Sequence, residues 1–310
     1  MPSQNEIRQN ITNQIIAALA AGTAPWRRPW NSDSNAGAPT NAVSGKKYSG
    51  VNPLLLQIAA DHFGFKGKFW ATYRQWSELG GQVKSRPSDV KAGEWGTGIV
   101  FCKPCKKTRE ENGQEIEDKF WMLRTFTVFN IDQVSGSAVD RFRVGNQPIT
   151  AEQIEQRYQQ ADEAIEATGA DIRCGGNQAF YHPQCDFIQM PHRQQFTHGE
   201  YYETAFHELT HWTEHPSRLN VDRTKPENSY AFCELVAELS SVFITGELGL
   251  PVEQTMGNHA AYLASWLKEM KGDTKFIFKA ASQATKAADF LLSFSRLTED
   301  EIGEEAELVA

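Results

Sequence analysis

The sequence predicts an α+β protein of two domains, and three observations carry that expectation. Charge changes sign along the chain: residues 1–107 hold 14 Lys+Arg against 6 Asp+Glu, while the remaining residues hold 17 against 33. Strand-like alternation is confined to residues 95–130 and 172–190, with helical periodicity around it. In the acidic part, two histidines four apart, His207 and His211, lie on a segment with helical spacing of apolar residues. At 310 residues and 40% hydrophobic content, the chain has material for two cores.

Taken in order, Gln4 to Ala21 places Ile7, Ile11, Ile15, Ile16 and Leu19 on one helical face, and Gly22 ends the helix. Pro25-Trp-Arg-Arg-Pro-Trp30 and a Ser/Asn/Gly/Pro-rich loop to Gly45 follow. A second helix is expected from Asn52-Pro53 to Phe63, with Asn52 as a cap and Pro53 in the first turn. A short third helix spans Thr72–Leu79. Strands then run over Trp95–Lys103 and Phe120–Asn130, joined by a charged tip at Lys106–Asp118. This N-terminal α+β domain covers residues 1–135. A Gly/Ser/Asn-rich linker covers 136–149, and the C-terminal domain covers 150–298. That domain holds a polar helix from Thr150 to Thr168, short strands near Ile172, Ala179–Tyr181 and Asp186–Met190, two apolar-faced helices, and an amphipathic segment from Asp273 to Phe294. Residues 299–310 read as a solvated acidic tail.

Composition excludes several classes. The polar N-terminus lacks the order of a secretory signal, and no window approaches eighteen apolar residues, so the expected location is the cytoplasm, with no membrane partner. Five scattered cysteines do not form a disulfide framework, and Cys102-Lys-Pro-Cys105 has no second pair at zinc-ribbon spacing, so it reads as incidental thiols.

His207-Glu-Leu-Thr-His211 carries the chemistry. Histidines at i and i+4 project from one helix face and can reach a single ion. Glu208, on the flank of that face, is placed to hold and deprotonate a water as the catalytic base rather than to ligate. Apolar Phe206, Leu209 and Trp212 bury the other side. After a loop with Pro216 and Pro226, a second helix from Ser229 to Glu247 carries Glu234 and Glu238 one turn apart in an otherwise apolar run. One carboxylate would be the third ligand, leaving the open position of a catalytic zinc, and the other would orient a histidine. Glu234 is assigned as ligand and Glu238 as its support, and periodicity also permits the reverse. The ion is expected to be Zn2+, with Mn2+ or another divalent ion as alternatives.

The basic half combines cations with flat side chains, as single-strand binders do to follow phosphates and stack bases. The candidates are Trp26, Arg27, Arg28 and Trp30; Lys46, Lys47 and Tyr48; Trp70, Tyr73, Arg74 and Trp76; and Lys84. Trp26 and Trp30, set among prolines, are the leading stacking candidates. The acidic half is expected to repel DNA.

The His207, Glu208, His211, Glu234 and Glu238 set resembles that of the gluzincin metallopeptidases. The 22-residue spacer between His211 and Glu234 is longer than in the thermolysin-like branch. That resemblance makes Asp186–Met190 the edge strand for an extended peptide, and leaves Tyr201, Tyr202, His215 and Tyr230 all eligible as transition-state donors. Lys47-Tyr-Ser-Gly-Val-Asn-Pro53, Phe69-Trp-Ala-Thr-Tyr-Arg-Gln-Trp76 and Val128-Phe-Asn-Ile-Asp-Gln133 look like the N-terminal domain of the ArdC-type antirestriction proteins. Tyr181-His-Pro, Asp186, Met190-Pro191 and His207-Glu-Leu-Thr-His-Trp212 look like the zincin-like domain that follows it there. The resemblance spans essentially the whole chain. It implies a plasmid-borne protein that binds single-stranded DNA and helps conjugative DNA escape restriction.

Two readings follow. One is a metallopeptidase held on single-stranded DNA that cleaves a host protein. The other is a strand-shielding protein with a structural or vestigial metal site. Repair of DNA–protein crosslinks is a third, weaker one.

Overall fold

Ser3 and Glu6 exchange bonds as a capping box and start helix α1 (Gln4–Ala20), whose stripe of Ile7, Ile11, Ile15 and Leu19 is buried. The computed structural model describes residues 3–21, 26, 33–111, 114–145, 149–250 and 260–308. The N-terminal half continues through β1 (Thr40–Asn41), α2 (Asn52–Phe63), β2 (Phe69–Thr72), α3 (Tyr73–Glu78), β3 (Gln82–Val83), β4 (Thr97–Glu111), β5 (Gln114–Asn130) and β6 (Val134–Ser135). Strand order is β1-β2-β5-β4, with β1 parallel to β2 and the other pairs antiparallel; β3 pairs with β6 separately.

Asn52 is not the cap of α2. Val51 occupies that position, and the Asn52 amide instead makes two 2.9 Å bonds to the backbone of Val100. Because β4 is the last strand of its sheet, this pairing occupies outward-facing groups that a neighbour would otherwise take. The charged segment Lys106–Asp118 is not a loop. The ladder continues to Glu111↔Gln114, since paired strands satisfy the backbone whatever the side chains carry. The expected linker also begins as packed structure. Ser137–Phe142 forms a 3-10 helix, Val139 is buried with Trp76 and Ile131, and Arg143 donates to the carbonyls of Ile131 and Val134.

The C-terminal half holds α4 (Ala151–Ala167), β7 (Asp171–Cys174), β8 (Phe180–His182), β9 (Phe187–Met190), α5 (His198–Thr213), α6 (Tyr230–Leu248), α7 (Ala260–Gly272) and α8 (Phe276–Leu308). The backbone of α8 runs as helix through the acidic tail, where solvated disorder was expected. Fold class is α+β, as the sequence predicts.

The largest core crosses the expected domain boundary. Ile7, Ile11, Ile15, Leu19, Leu54 and Leu55 pack in one cluster with Phe232, Leu235, Leu239, Trp266, Met270 and Ile277. A second cluster packs α5 against β9, α6 and α8 through Ile188, Met190, Phe206, Leu209, Ile244 and Leu291. No helix among the described residues is long and apolar enough to cross a membrane.

Candidate metal centre

Helix α5 opens on a capping box between Thr197 and Glu200 and buries Tyr202, Ala205, Phe206, Leu209 and Trp212. That burial fixes its rotation, so His207 and His211 turn toward α6. The Ser241 hydroxyl, donating to the Glu203 carbonyl at 2.7 Å, ties the two helices together.

The Nε2 atoms of His207 and His211 stand 3.2 Å apart. Each lies 3.5 Å from a different oxygen of Glu234. An ion bonded at about 2.0–2.2 Å spaces tetrahedral ligands about 3.3–3.6 Å apart, and the three pairwise approaches are close to that spacing. Among the described residues this trio is the one cluster of His, Cys, Asp or Glu with its donor atoms within 4.8 Å of one another. Burial disfavours the charged forms here, yet the cluster overrides it. Glu234 is held below the usual carboxylate range by His207, His211 and Tyr230, and His207 is raised by Glu234, Glu208 and Glu238.

Glu238 has a partner that the spacing did not suggest. Its Oε1 accepts the indole N–H of Trp26 at 3.2 Å. The residue bonded to the far nitrogen of His211 is Glu214, 2.9 Å from Nδ1. With Nε2 turned to the cluster, the Nδ1 edge of the ring faces Glu214. Arg223 pairs with Glu214 and lies 2.8 Å from the same Nδ1. The signal for Glu214 was in the sequence, three positions after His211 on one helix face; nothing marked Arg223, which reaches in from the loop.

Glu208 is buried on α5 beside His207. Of the four candidate donors, Tyr202 is buried against the Tyr158 carbonyl and Arg193, Tyr201 packs under Arg193, and His215 bonds Ser217. Tyr230 stands apart: it is 60% exposed, bonds Tyr262 at 2.9 Å, and lies close enough to Glu234 to lower its pKa. Strand β9 is not an edge. It lies between β7 and β8, so its backbone is paired on both sides, and the strand edge on the α5 side belongs to β8. Asp186 serves as an anchor: Arg218 pairs with it, stacks 3.9 Å over Trp212, and donates to the Trp212 carbonyl at 2.6 Å.

The stacking candidates fare differently. Trp70 and Trp76 are 1% and 0% exposed and belong to the core, which corrects their reading as base platforms. Trp26 is 7% exposed, edge-on to Trp266 at 6.1 Å, and is likewise a packing residue. Arg27, Arg28 and Trp30 lie outside the described residues. Tyr73 is exposed, Arg74 is exposed and paired with Glu78 at 2.8 Å, and Lys84 donates to the Asp132 carbonyl at 2.8 Å. Lys46, Lys47 and Tyr48 line a cleft between the halves.

Residues 5–129 match the N-terminal domain of the anti-restriction factor ArdC, and residues 159–283 match the zincin-like metallopeptidase family. An uncharacterized protein of Sinorhizobium fredii, y4eC, is 36% identical over 92% of this chain and 91% of its own length. A DNA primase TraC of Escherichia coli is 36% identical over 93% of this chain, which spans only 27% of the primase. The metal-free crystal structure of antirestriction protein ArdC from plasmid R388 superposes with a TM-score of 0.74 at 37% identity, covering 93% of this chain and 97% of that one. Its Mn(II)-bound form gives 0.68 at 36% identity, with the same coverage.

Proposed function

The chain belongs to the ArdC family of antirestriction proteins, and from that premise we propose that it is a divalent-metal-dependent peptidase carried on a single-stranded-DNA-binding domain, shielding incoming conjugative plasmid DNA from host restriction. The observation that carries this reading is the convergence of His207, His211 and Glu234 beside a buried Glu208. The Mn(II)-bound form of the R388 relative supports a divalent ion at these donors, and the nitrogen-rich set suits zinc equally. When bound, the ion supplies Lewis acidity, polarising a carbonyl oxygen and acidifying water.

The protein's own groups do the rest. Glu208 takes the proton from the attacking water and returns it to the leaving amine. The Tyr230 phenol donates a hydrogen bond to the oxygen on which charge develops. Glu214 and Arg223 hold the His211 ring. An extended peptide adds to the β8 edge. On the DNA side, support comes from the excess of basic residues before residue 108 and from exposed Lys46, Tyr73, Arg74 and Lys84.

The test compares wild type with Glu208→Gln, metal-replete, for cleavage of proteins bound to single-stranded DNA and for protection of transferred DNA in cells. Loss of cleavage with retained metal is expected; if neither readout changes, the peptidase reading falls and a shielding protein remains.

A further inference from the structure

Between the two halves lies a cleft of about 1000 Å3, at the upper end of the range for small-molecule sites. One wall is built by Ala36–Thr40, Gly45–Ser49 and the start of α2, the other by the end of α6 with parts of α4 and α8. Among the described residues five cations line it: Lys46, Lys47 and Lys68 from the basic half, and Arg157 and Arg296 from the acidic half. The acids lining it among the described residues are Glu247 and Asp289. Two arginines against two acids leave the acidic half's share of the lining without net charge, and the positive excess comes from the three lysines of the basic half.

The cations are held in place by carbonyls and carboxylates, with Asp33 attracting Lys68. Lys47 donates to the Glu247 carbonyl at 2.8 Å and stands 3.8 Å from its carboxylate, which also pairs with Arg296. One carboxylate is thus shared by two cations. Lys68 donates to the Ser34 carbonyl at 2.7 Å, and Arg157 to the Gly249 carbonyl at 2.8 Å. A Cβ at Gly249 (φ +67°) would come within 2.9 Å of the Arg157 guanidinium, so glycine is needed there both for the turn and for the arginine. Desolvation lowers the pKa of Lys47, Lys68 and Arg157; at Lys47 attraction from Glu247 opposes it and repulsion from Lys68 and Arg296 adds to it, and at Lys68 repulsion from Arg157 adds and attraction from Asp33 opposes. Crowded cations of this kind are relieved by an anion. Tyr48, its phenol 3.2 Å from the Asn41 amide, and Phe243 add flat apolar surface to the same walls.

The geometry points to a nucleotide-phosphate site in this cleft, in which Lys46, Lys47, Lys68, Arg157 and Arg296 hold phosphate oxygens beside Tyr48. This rests on the DNA-binding reading above and gives it a location that both halves build. The phosphate belongs either to a DNA strand or to a free nucleotide.

Binding of fluorescein-labelled oligo(dT) to the full chain, measured across a salt series, tests this. Lys68→Gln, Arg157→Gln and Lys46→Gln are compared with Lys91→Gln, an exposed lysine outside the cleft. Lys46 is exposed, so its loss leaves the fold intact even where a buried variant does not fold. The cleft variants are expected to weaken binding several-fold and to flatten the log–log salt slope by about 0.7 per phosphate lost, with Lys91→Gln unchanged. Competition by ATP and by inorganic tripolyphosphate separates the sources: displacement only by unlabelled strand assigns the site to DNA, and displacement by ATP assigns it to a free nucleotide. If wild type binds oligo(dT) and all three cleft variants match it in affinity and slope, the cleft assignment is overturned and the DNA reading stands. If wild type binds neither oligo(dT) nor ATP at low salt, the DNA reading itself fails and the cleft assignment falls with it.

Discussion

The indole nitrogen of Trp26 stands 3.2 Å from Oε1 of Glu238, joining residues 212 positions apart. A side chain from the basic half thereby holds a carboxylate one helical turn from the ligand Glu234. Trp26→Phe keeps the ring and removes the donor, which should cost about 1–3 kcal/mol by leaving a buried oxygen without that bond. Trp26→Ala also empties core volume and should cost about 3–5 kcal/mol. Denaturant melts measure both. Unchanged stability in both variants, with strand affinity lowered instead, would restore Trp26 as a stacking platform.

Removing one metal donor should abolish ion binding, and removing its neighbour should not. His207→Ala and Glu234→Ala are expected to lose the thermal stabilisation by MnCl2 or ZnCl2, about 2.7 kcal/mol in wild type at a hundredfold excess over Kd. Glu238→Gln should retain it. The opposite outcome for the two glutamates reverses the assignment of ligand and neighbour.

The Glu214–His211 bond aims the ring nitrogen at the ion. Glu214→Gln should lower metal affinity about 10–100-fold by calorimetry while leaving the donor trio in place. Wild-type affinity in that variant would reduce Glu214 to a surface partner of Arg223.

Lys47 predicts a pH dependence. Desolvation in the cleft, with repulsion from Lys68 and Arg296 set against attraction from Glu247, brings it from 10.5 to about 8. Asp289 lines the same cleft. Between these values the unfolded chain binds the proton and the folded one does not, so this residue's contribution to stability rises with pH across that window. Oligo(dT) affinity should fall over the same range as the ammonium is lost. Melts and titrations at about pH 7.5 and 9.5 check this, and Lys47→Gln should flatten both trends.

Much of the metal centre was legible before any coordinates. His207 and His211 share a face by spacing alone, and two glutamates in an apolar run announce a partner. Which glutamate joins the histidine pair was not legible, because they lie one turn apart on the same face and Trp26, the partner that engages Glu238, arrives from the other end of the chain. The aromatic signal misled for a local reason. Trp70 sits next to Tyr73-Arg74 in sequence, but strand alternation and the turn into α3 send the indole inward and Tyr73 outward. Proximity along the chain carried the inference where periodicity should have. Tyr262, Trp266 and Met270 recur at helical spacing, and α7, which was not foreseen, could have been read from them.

Helix α1 is the first element by order and part of the last by packing, because its isoleucines meet Trp266, Met270 and Ile277. Scission near residue 135 would therefore strand adhesive surface on both fragments instead of releasing two freestanding modules. A unit packed in this way is expected to travel as one cassette. The TraC match, which runs through 93% of this chain inside a protein nearly four times as long, has that form.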